Sequence, residues 1–291
     1  MSESSRVTGK PWRVAVLGLG IIGSRAADRL AAAGCATSRW NRTPKHHPDE
    51  HSTAADAAKD ADVVMLFLKN GSAVRDVARQ ILPVIGKQTI LLNHSTIDLD
   101  TTLWLADACL TAGIGFLDCP FTGSRDAAAA GNLVFYCGGP AAILEQVEPL
   151  LQITGKDIFA CGDVGSATVI KLATNLIGAC TVQALAEAMA IVTRYGIKPA
   201  LFTDAVSRNA SASPLAAMKL AAMSSADFTP HFSLDNMRKD SVYALELARS
   251  KGLQTPSIAT VSARMTELCE AGLGELDFSA LAKPYLGNPP A

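Results

Sequence analysis

The 291-residue chain predicts an α/β fold: a Rossmann-type, doubly wound parallel sheet followed by an all-helical C-terminal domain, the two joined by a long interdomain helix. Three observations support this. Apolar, β-branched runs alternate with helix-like segments as far as about Gly165, the pattern of strands feeding crossover helices. A glycine-rich turn, Gly18-Leu19-Gly20-Ile21-Ile22-Gly23, follows the first run and opens the first helix. Beyond Gly165 the strand pattern stops, and alanine- and leucine-rich stretches follow, broken by Gly196, Pro199, Pro214, Pro230 and Pro256.

Taken in order, residues 1–10 are polar and lack the apolar stretch of a secretory signal, so they read as a frayed leader. The first strand begins near Trp12. Ile22, Ala26, Leu30 and Ala33 then recur about a turn apart, and Gly34 closes that helix as a C-terminal cap. Further strand-like runs follow at 36–40, 62–68, 89–93, 114–118 and 133–137, with helix-like segments between most of them. The segment from Leu172 to Val192 is apolar enough to raise the question of a membrane span. Asn175, Gln183 and Glu187 interrupt it, which favours a buried helix of a folded domain. The expected division is residues 11–164 for a nucleotide-binding domain and 165–291 for a helical domain concerned with substrate and subunit contacts.

Composition narrows the function. A net charge of −1 with 18% charged residues offers neither a basic footprint for nucleic acid nor a membrane-surface helix, so the expected partners are small molecules. The seven cysteines are scattered and form no C-x-x-C pair, which argues against a disulfide framework or a zinc site and for a reducing cytoplasm. His46, His47 and His51 sit in a proline-containing loop without a helical i, i+4 pair. They read as a solvated loop, and no metal is expected.

Within the glycine turn, Gly18 permits the tight bend, Gly20 lets backbone approach a pyrophosphate, and Gly23 lets helix and strand pack closely. The helix amino terminus, from Leu19 and Ile21 through Ile22, would face the phosphates with free N–H groups. The competing reading is a glycine-rich turn with no ligand. After the second strand, where an NAD enzyme usually places a carboxylate for the ribose, this chain has Asn41-Arg42-Thr43. No carboxylate repels a 2′-phosphate there, Arg42 can bind one, and Asn41 and Thr43 can add neutral hydrogen bonds, so NADP(H) is expected over NAD(H). A plain polar turn would leave that choice open.

Three later stretches are specific as a set: His94-Ser95-Thr96, Asp118-Cys119-Pro120-Phe121-Thr122-Gly123-Ser124, and Gly162-Asp163-Val164-Gly165-Ser166-Ala167 followed by Lys171 and Asn175. With the glycine turn and Lys239-Asp240, their order and spacing resemble the β-hydroxyacid dehydrogenase family, from about Trp12 to Leu281. That family includes 3-hydroxyisobutyrate dehydrogenases, tartronate semialdehyde reductases and glyoxylate or succinic semialdehyde reductases. The resemblance implies that Lys171 is the catalytic acid and base, and a partly desolvated lysine could exchange a proton near neutral pH. It implies that Ser95, Thr122, Gly123, Ser124 and Asn175 bind a carboxylate-bearing substrate, with Phe232 and Asp240 closing over it. Leu68, Thr96 and Lys239 join the cofactor set on the same ground. A homodimer or homotetramer is implied as well.

The chain also departs from that pattern. Phe121 and Thr122 enlarge the substrate loop, Ala167 replaces a usual glycine, and Thr174 replaces the first of two usual asparagines. Gly123-Ser124-Arg125 looks most like the glyoxylate and succinic semialdehyde reductase branch. Each polar residue also has an ordinary reading: Ser95 and Thr96 could cap the next helix, Asn175 could satisfy backbone, and Lys239 could be surface charge. The competing functions are an imine reductase on the same fold, which typically lacks the lysine, and a catalytically silent NADP-binding scaffold.

Overall fold

The computed structural model describes residues 11–286; the polar opening and the last residues of the helical span lie outside the described part. The chain divides into two compact units between Lys171 and Leu172.

The first unit is built from β1 (Arg13–Leu17), α1 (Ile21–Ala32), β2 (Ala36–Trp40), α2 (Ala54–Ala58), β3 (Val63–Leu66), α3 (Gly71–Ile81), β4 (Ile90–Asn93), α4 (Leu99–Ala112) and β5 (Gly115–Asp118). It continues through β6 (Phe121–Thr122), α5 (Arg125–Ala130), β7 (Leu133–Gly138), α6 (Ala141–Thr154) and β8 (Gly155–Gly162). The sheet runs in the order β2-β1-β3-β4-β5-β7-β6, with β8 on β7. Strands β1 to β5 are parallel, and every residue of β3 and β4 is buried, as expected where helices cover both faces. One apolar cluster, including Leu66, Val74, Leu91 and Leu105, packs one face. A second, including Val16, Leu30, Leu92 and Leu117, packs the other.

The chain reverses direction in strand order between β1 and β3, and at such a switch point the loops beyond the strand ends form a crevice. That is where the glycine turn lies. Gly18 has φ +104, and a Cβ on Gly23 would collide with the Gly18 carbonyl, so helix and strand meet at a distance that only glycine allows.

The parallel sheet expected from the sequence carries a mixed far edge. The sheet is not parallel throughout: β7 runs antiparallel to β5 and β6, and parallel to β8. The strands β6 and β8 carry no clear signal because β6 has two residues and β8 is a mostly exposed edge that shows no apolar alternation.

The helix α7 (Ser166–Arg194) opens in the first unit and runs on into the second. There it is followed by α8 (Pro199–Ser207), α9 (Pro214–Ser225), α10 (Leu234–Ser250) and α11 (Pro256–Leu268). By length and composition α7 could cross a bilayer. In the second unit, however, Val182, Ala186 and Met189 belong to a core shared with Leu220, Leu234 and Met265. Gln183 is buried there and donates to Glu187 and to the Tyr285 hydroxyl.

Candidate active site

In the first unit, the end of β1 presents an uncapped helix. Gly20 is the N-cap of α1 with no side-chain cap, and no acidic residue stands in the first turn. A Cβ on Gly20 would touch nothing within 4 Å, so the turn is open on that side. Free N–H groups, open space and a positive helix end together fit the pyrophosphate of a dinucleotide. Asn41 fixes the neighbouring loop: its carboxamide oxygen accepts from Leu19 N at 2.9 Å, and its Nδ2 donates to the Thr43 carbonyl at 2.7 Å. Arg42 and Thr43 are exposed beside it.

Ser95 is buried beyond β4. Its hydroxyl accepts from Leu68 N at 2.8 Å and donates to the Leu66 carbonyl at 3.2 Å, while its N–H reaches Asn93 Oδ1 at 3.2 Å. Both its donors are engaged within the protein, so Ser95 ties the ends of β3 and β4 together. Leu68 is positioned by that tie, and Thr96 is half-buried next to it.

The substrate loop expected at 122–124 lies at the antiparallel edge. Thr122 pairs with Val134, and the Ser124 hydroxyl caps α5 by accepting from Ala127 N at 3.2 Å. Gly123 has φ +144, and a Cβ there would come within 2.8 Å of Leu133 Cδ2, so the loop requires glycine.

Two buried groups belong to motifs named in the sequence but were given no role there. Asp118, fully buried at the end of β5, accepts from Thr168 N at 2.8 Å and from the Thr168 hydroxyl at 2.9 Å. Burial pushes its carboxyl up to about 6, a rise limited by the N–H groups of Thr168 and Gly165 and by the Thr168 hydroxyl. It anchors the first turn of α7, three residues before Lys171, whose side chain is buried. The signal was there to be read: a carboxylate at the end of an apolar strand must find donors.

His94, also buried, donates from Nδ1 to the Cys119 carbonyl at 2.7 Å. Its Nε2 is then an acceptor with no partner among the described residues. Its ring stacks on Phe67 at 4.7 Å, and burial lowers its pKa to about 4.

In the second unit, three of the expected residues form one hydrogen-bonded row. Asp240 is fully buried; one oxygen accepts from Lys239 Nζ at 2.6 Å and the other from Asn175 Nδ2 at 2.7 Å. Because a carboxylate only accepts, the Asn175 amide nitrogen must face it, which leaves the Asn175 carbonyl oxygen as an acceptor for another group. Phe232 stands on a separate strap, where its N–H donates to Asp277 at 3.2 Å. Among the described residues no cluster of side chains could hold a metal ion.

A doubly wound sheet with an open, glycine-lined helix terminus at its switch point defines an NAD(P)-binding protein. Comparison with known families narrows this. Residues 13–162 match the NAD-binding domain of 6-phosphogluconate dehydrogenase, and residues 165–285 match the family described as NAD-binding of NADP-dependent 3-hydroxyisobutyrate dehydrogenase. The chain belongs to the β-hydroxyacid dehydrogenase family and is an oxidoreductase acting on CH–OH groups.

Among its relatives, glyoxylate/succinic semialdehyde reductase 2 of Arabidopsis thaliana is 29% identical, the match covering 92% of this chain and 78% of that protein. The 2-(hydroxymethyl)glutarate dehydrogenase of Eubacterium barkeri is 26% identical over 95% of each. The solved structure of the Mycobacterium tuberculosis 3-hydroxyisobutyrate dehydrogenase with L-serine has the same fold: TM-score 0.86 at 24% identity, covering 96% of this chain and all of that one.

Proposed function

We propose that this protein is an NADPH-dependent reductase, reversible as a dehydrogenase, that interconverts a small carboxylate-bearing semialdehyde or keto acid and its hydroxy acid. The observation that carries the reading is Lys171, an almost fully buried lysine one turn ahead of an asparagine whose amide is oriented by a buried carboxylate. The nicotinamide, when bound, supplies hydride to the carbonyl carbon. Lys171 gives the proton from Nζ to the carbonyl oxygen during reduction and takes it back during oxidation. The carbonyl oxygen of Asn175 orients that lysine or the substrate hydroxyl, and Asp240 acts through Asn175. Thr122, Gly123 and Ser124 hold the substrate carboxylate with hydroxyl and backbone donors; Ser95, expected to bind it as well, has both donors engaged and acts by positioning Leu68, and Phe232 is a substrate contact of the second unit.

The glycine turn, Leu68, Thr96 and Lys239 contact the cofactor. Preference for NADPH is supported by Asn41, bonded to the glycine turn where a carboxylate would stand, with Arg42 exposed beside it. The named activity of the Arabidopsis relative supports a semialdehyde or glyoxylate as substrate class. The free cysteines support a reducing cytoplasm as its compartment. Ile177 and Ile191 are exposed on one side of α7, seven-fold spaced around Ala184, which supports pairing of copies into a homodimer or homotetramer. The near-neutral charge supports neither nucleic acid nor a membrane surface as partner.

The test is NADPH oxidation over glyoxylate, succinic, tartronate and methylmalonate semialdehydes and a cyclic imine, with wild type and Lys171→Ala. The expected result is turnover of at least one semialdehyde or keto acid by wild type, and a loss of about a hundredfold or more in kcat for Lys171→Ala with NADPH binding retained. Near-normal turnover by Lys171→Ala, or turnover of the imine alone, would overturn the reading.

A further inference from the structure

The segment Asn41–Glu50 after β2 is a folded loop, and acidic side chains rather than an apolar core hold it in shape. The Glu50 carboxylate accepts from Lys45 N with both oxygens, each at 2.9 Å, and from His47 N at 3.1 Å. Burial alone would raise the pKa of Glu50; the N–H groups of Lys45, His47 and His46 outweigh it and hold the carboxyl below its ordinary range. His46 adopts φ +60, a left-handed conformation uncommon for a residue with a side chain. On either side of it the N–H groups of Lys45 and His47 converge on the Glu50 carboxylate, an anion nest whose occupant is Glu50.

The far end of the loop is fastened to the sheet edge. Asp49 accepts from Arg39 Nε at 2.9 Å and from the Thr37 hydroxyl at 2.6 Å, and Glu50 bridges to Arg39 in parallel. Arg39 is itself buried and also donates to Asp28 at 2.6 Å. The near end is fastened to the glycine turn through Asn41 and Leu19. Between these anchors Arg42, Lys45 and His46 are exposed. A loop this short could collapse in many ways, and the strained turn at His46 persists only because something over-determines it.

We propose that Glu50 is a positioning residue for cofactor discrimination: by holding the backbone of Lys45, His46 and His47, it presents Lys45 and His46 next to Arg42 as a preformed cradle for the 2′-phosphate of the cofactor. The inference rests on the NADPH reading above. Preformation matters because ordering a flexible cationic loop at the moment of binding would oppose affinity. The N–H groups of Lys45 and His47 stabilise the ionised Glu50 carboxylate and partly offset its charge toward the phosphate.

The test uses calorimetric binding of adenosine 2′,5′-bisphosphate and of 5′-AMP, which differ by the 2′-phosphate. Wild type, Glu50→Gln, Glu50→Ala, Lys45→Ala and the Glu50→Ala/Lys45→Ala double variant are compared, each checked for cooperative melting. The expected result is that wild type prefers the bisphosphate, that Glu50→Ala weakens the bisphosphate about tenfold with 5′-AMP changed less than about twofold, and that Glu50→Gln falls between. The double variant should lose no more than about as much as the larger single loss, because Lys45 works only on a fastened loop. Equal weakening of both ligands, no change, or tighter bisphosphate binding in Glu50→Ala would overturn the positioning role while leaving the NADPH reading intact. A wild type indifferent to the 2′-phosphate would overturn the NADPH reading and this inference with it.

Discussion

The carboxylate of Asp118 accepts both the backbone N–H and the side-chain hydroxyl of Thr168, at 2.8 and 2.9 Å. One buried side chain thus joins the end of a central strand to the first turn of α7, which carries Lys171 one turn on. The helix begins without an acidic residue of its own in the first turn, and Asp118 supplies the negative charge that its amino terminus favours.

This pair sets a pH dependence. With its carboxyl pushed up to about 6 from 3.8, folded Asp118 holds its proton more tightly than the unfolded chain does. Stability from this group is therefore fully present below about pH 4 and is lost as pH rises through 6. Asp118→Asn is expected to flatten the stability curve between pH 4 and 6, measured by urea unfolding at each pH. An unchanged slope in the variant would show that Asp118 is not the titrating group.

His94 works in nearly the same window with the opposite sign. Burial pushes its pKa down to about 4 from 6.5, so its contribution is present above pH 6.5 and is lost as pH falls toward 4. His94→Phe keeps a ring against Phe67 and removes the titration. It also strips the Cys119 carbonyl of its donor, at a cost of about 1–3 kcal/mol. The expected outcome is a less stable protein at pH 7 with a shallower acid limb in thermal melts; an acid limb as steep as wild type would refute it.

The proposed preference for NADPH gives a prediction at Asn41. Asn41→Asp preserves the acceptor for Leu19 N and adds a carboxylate where the 2′-phosphate is expected. The KM for NADPH should rise about tenfold or more, corresponding to about 1.4 kcal/mol, while the KM for NADH falls or holds. Parallel changes for both cofactors in steady-state assays would contradict this.

In the helical unit, Lys219 and Asp277 form an ion pair at 2.7 Å with both side chains almost wholly buried, and Lys219 lies 4.1 Å from the centre of the Phe278 ring. Asp277 also accepts from the N–H groups of His231 and Phe232, so it fastens the strap that bears Phe232. Burial would raise the pKa of Asp277, but Lys219 and the Ser279 donors outweigh it and hold it below its ordinary value. Lys219→Ala leaves that carboxylate buried without its counter-charge. Loss of about 3–5 kcal/mol in chemical denaturation is expected, and a change below about 1 kcal/mol would mean the site relaxes or hydrates.

Much of this was written in the order of residue types. The glycine turn, the alternation of apolar runs with helices and the later helical stretch give the fold class, because each depends on local spacing that the chain carries along its length. The same holds for the five ordered motifs that point to the family. Strand β8 was not legible because an exposed edge needs no apolar alternation. The antiparallel turn of β7 is a pairing choice made between segments distant in sequence. Lys239, Asp240 and Asn175 were expected at the site, but as separate contacts. Their row of hydrogen bonds depends on α7 and α10 meeting at one register, which no local pattern encodes.

The sequence by itself therefore determined the architecture, the dinucleotide-binding turn and the family, since these follow from periodicity and from residues with single conformational roles. Only the tertiary structure decided which polar groups are already engaged. Ser95 has both donors occupied, Asp118 caps a helix from another element, and Glu50 fills a nest made by the loop it belongs to. The physical reason is that a buried donor or acceptor must find a partner wherever packing places one. Packing brings together residues whose separation in the chain says nothing of their distance in space.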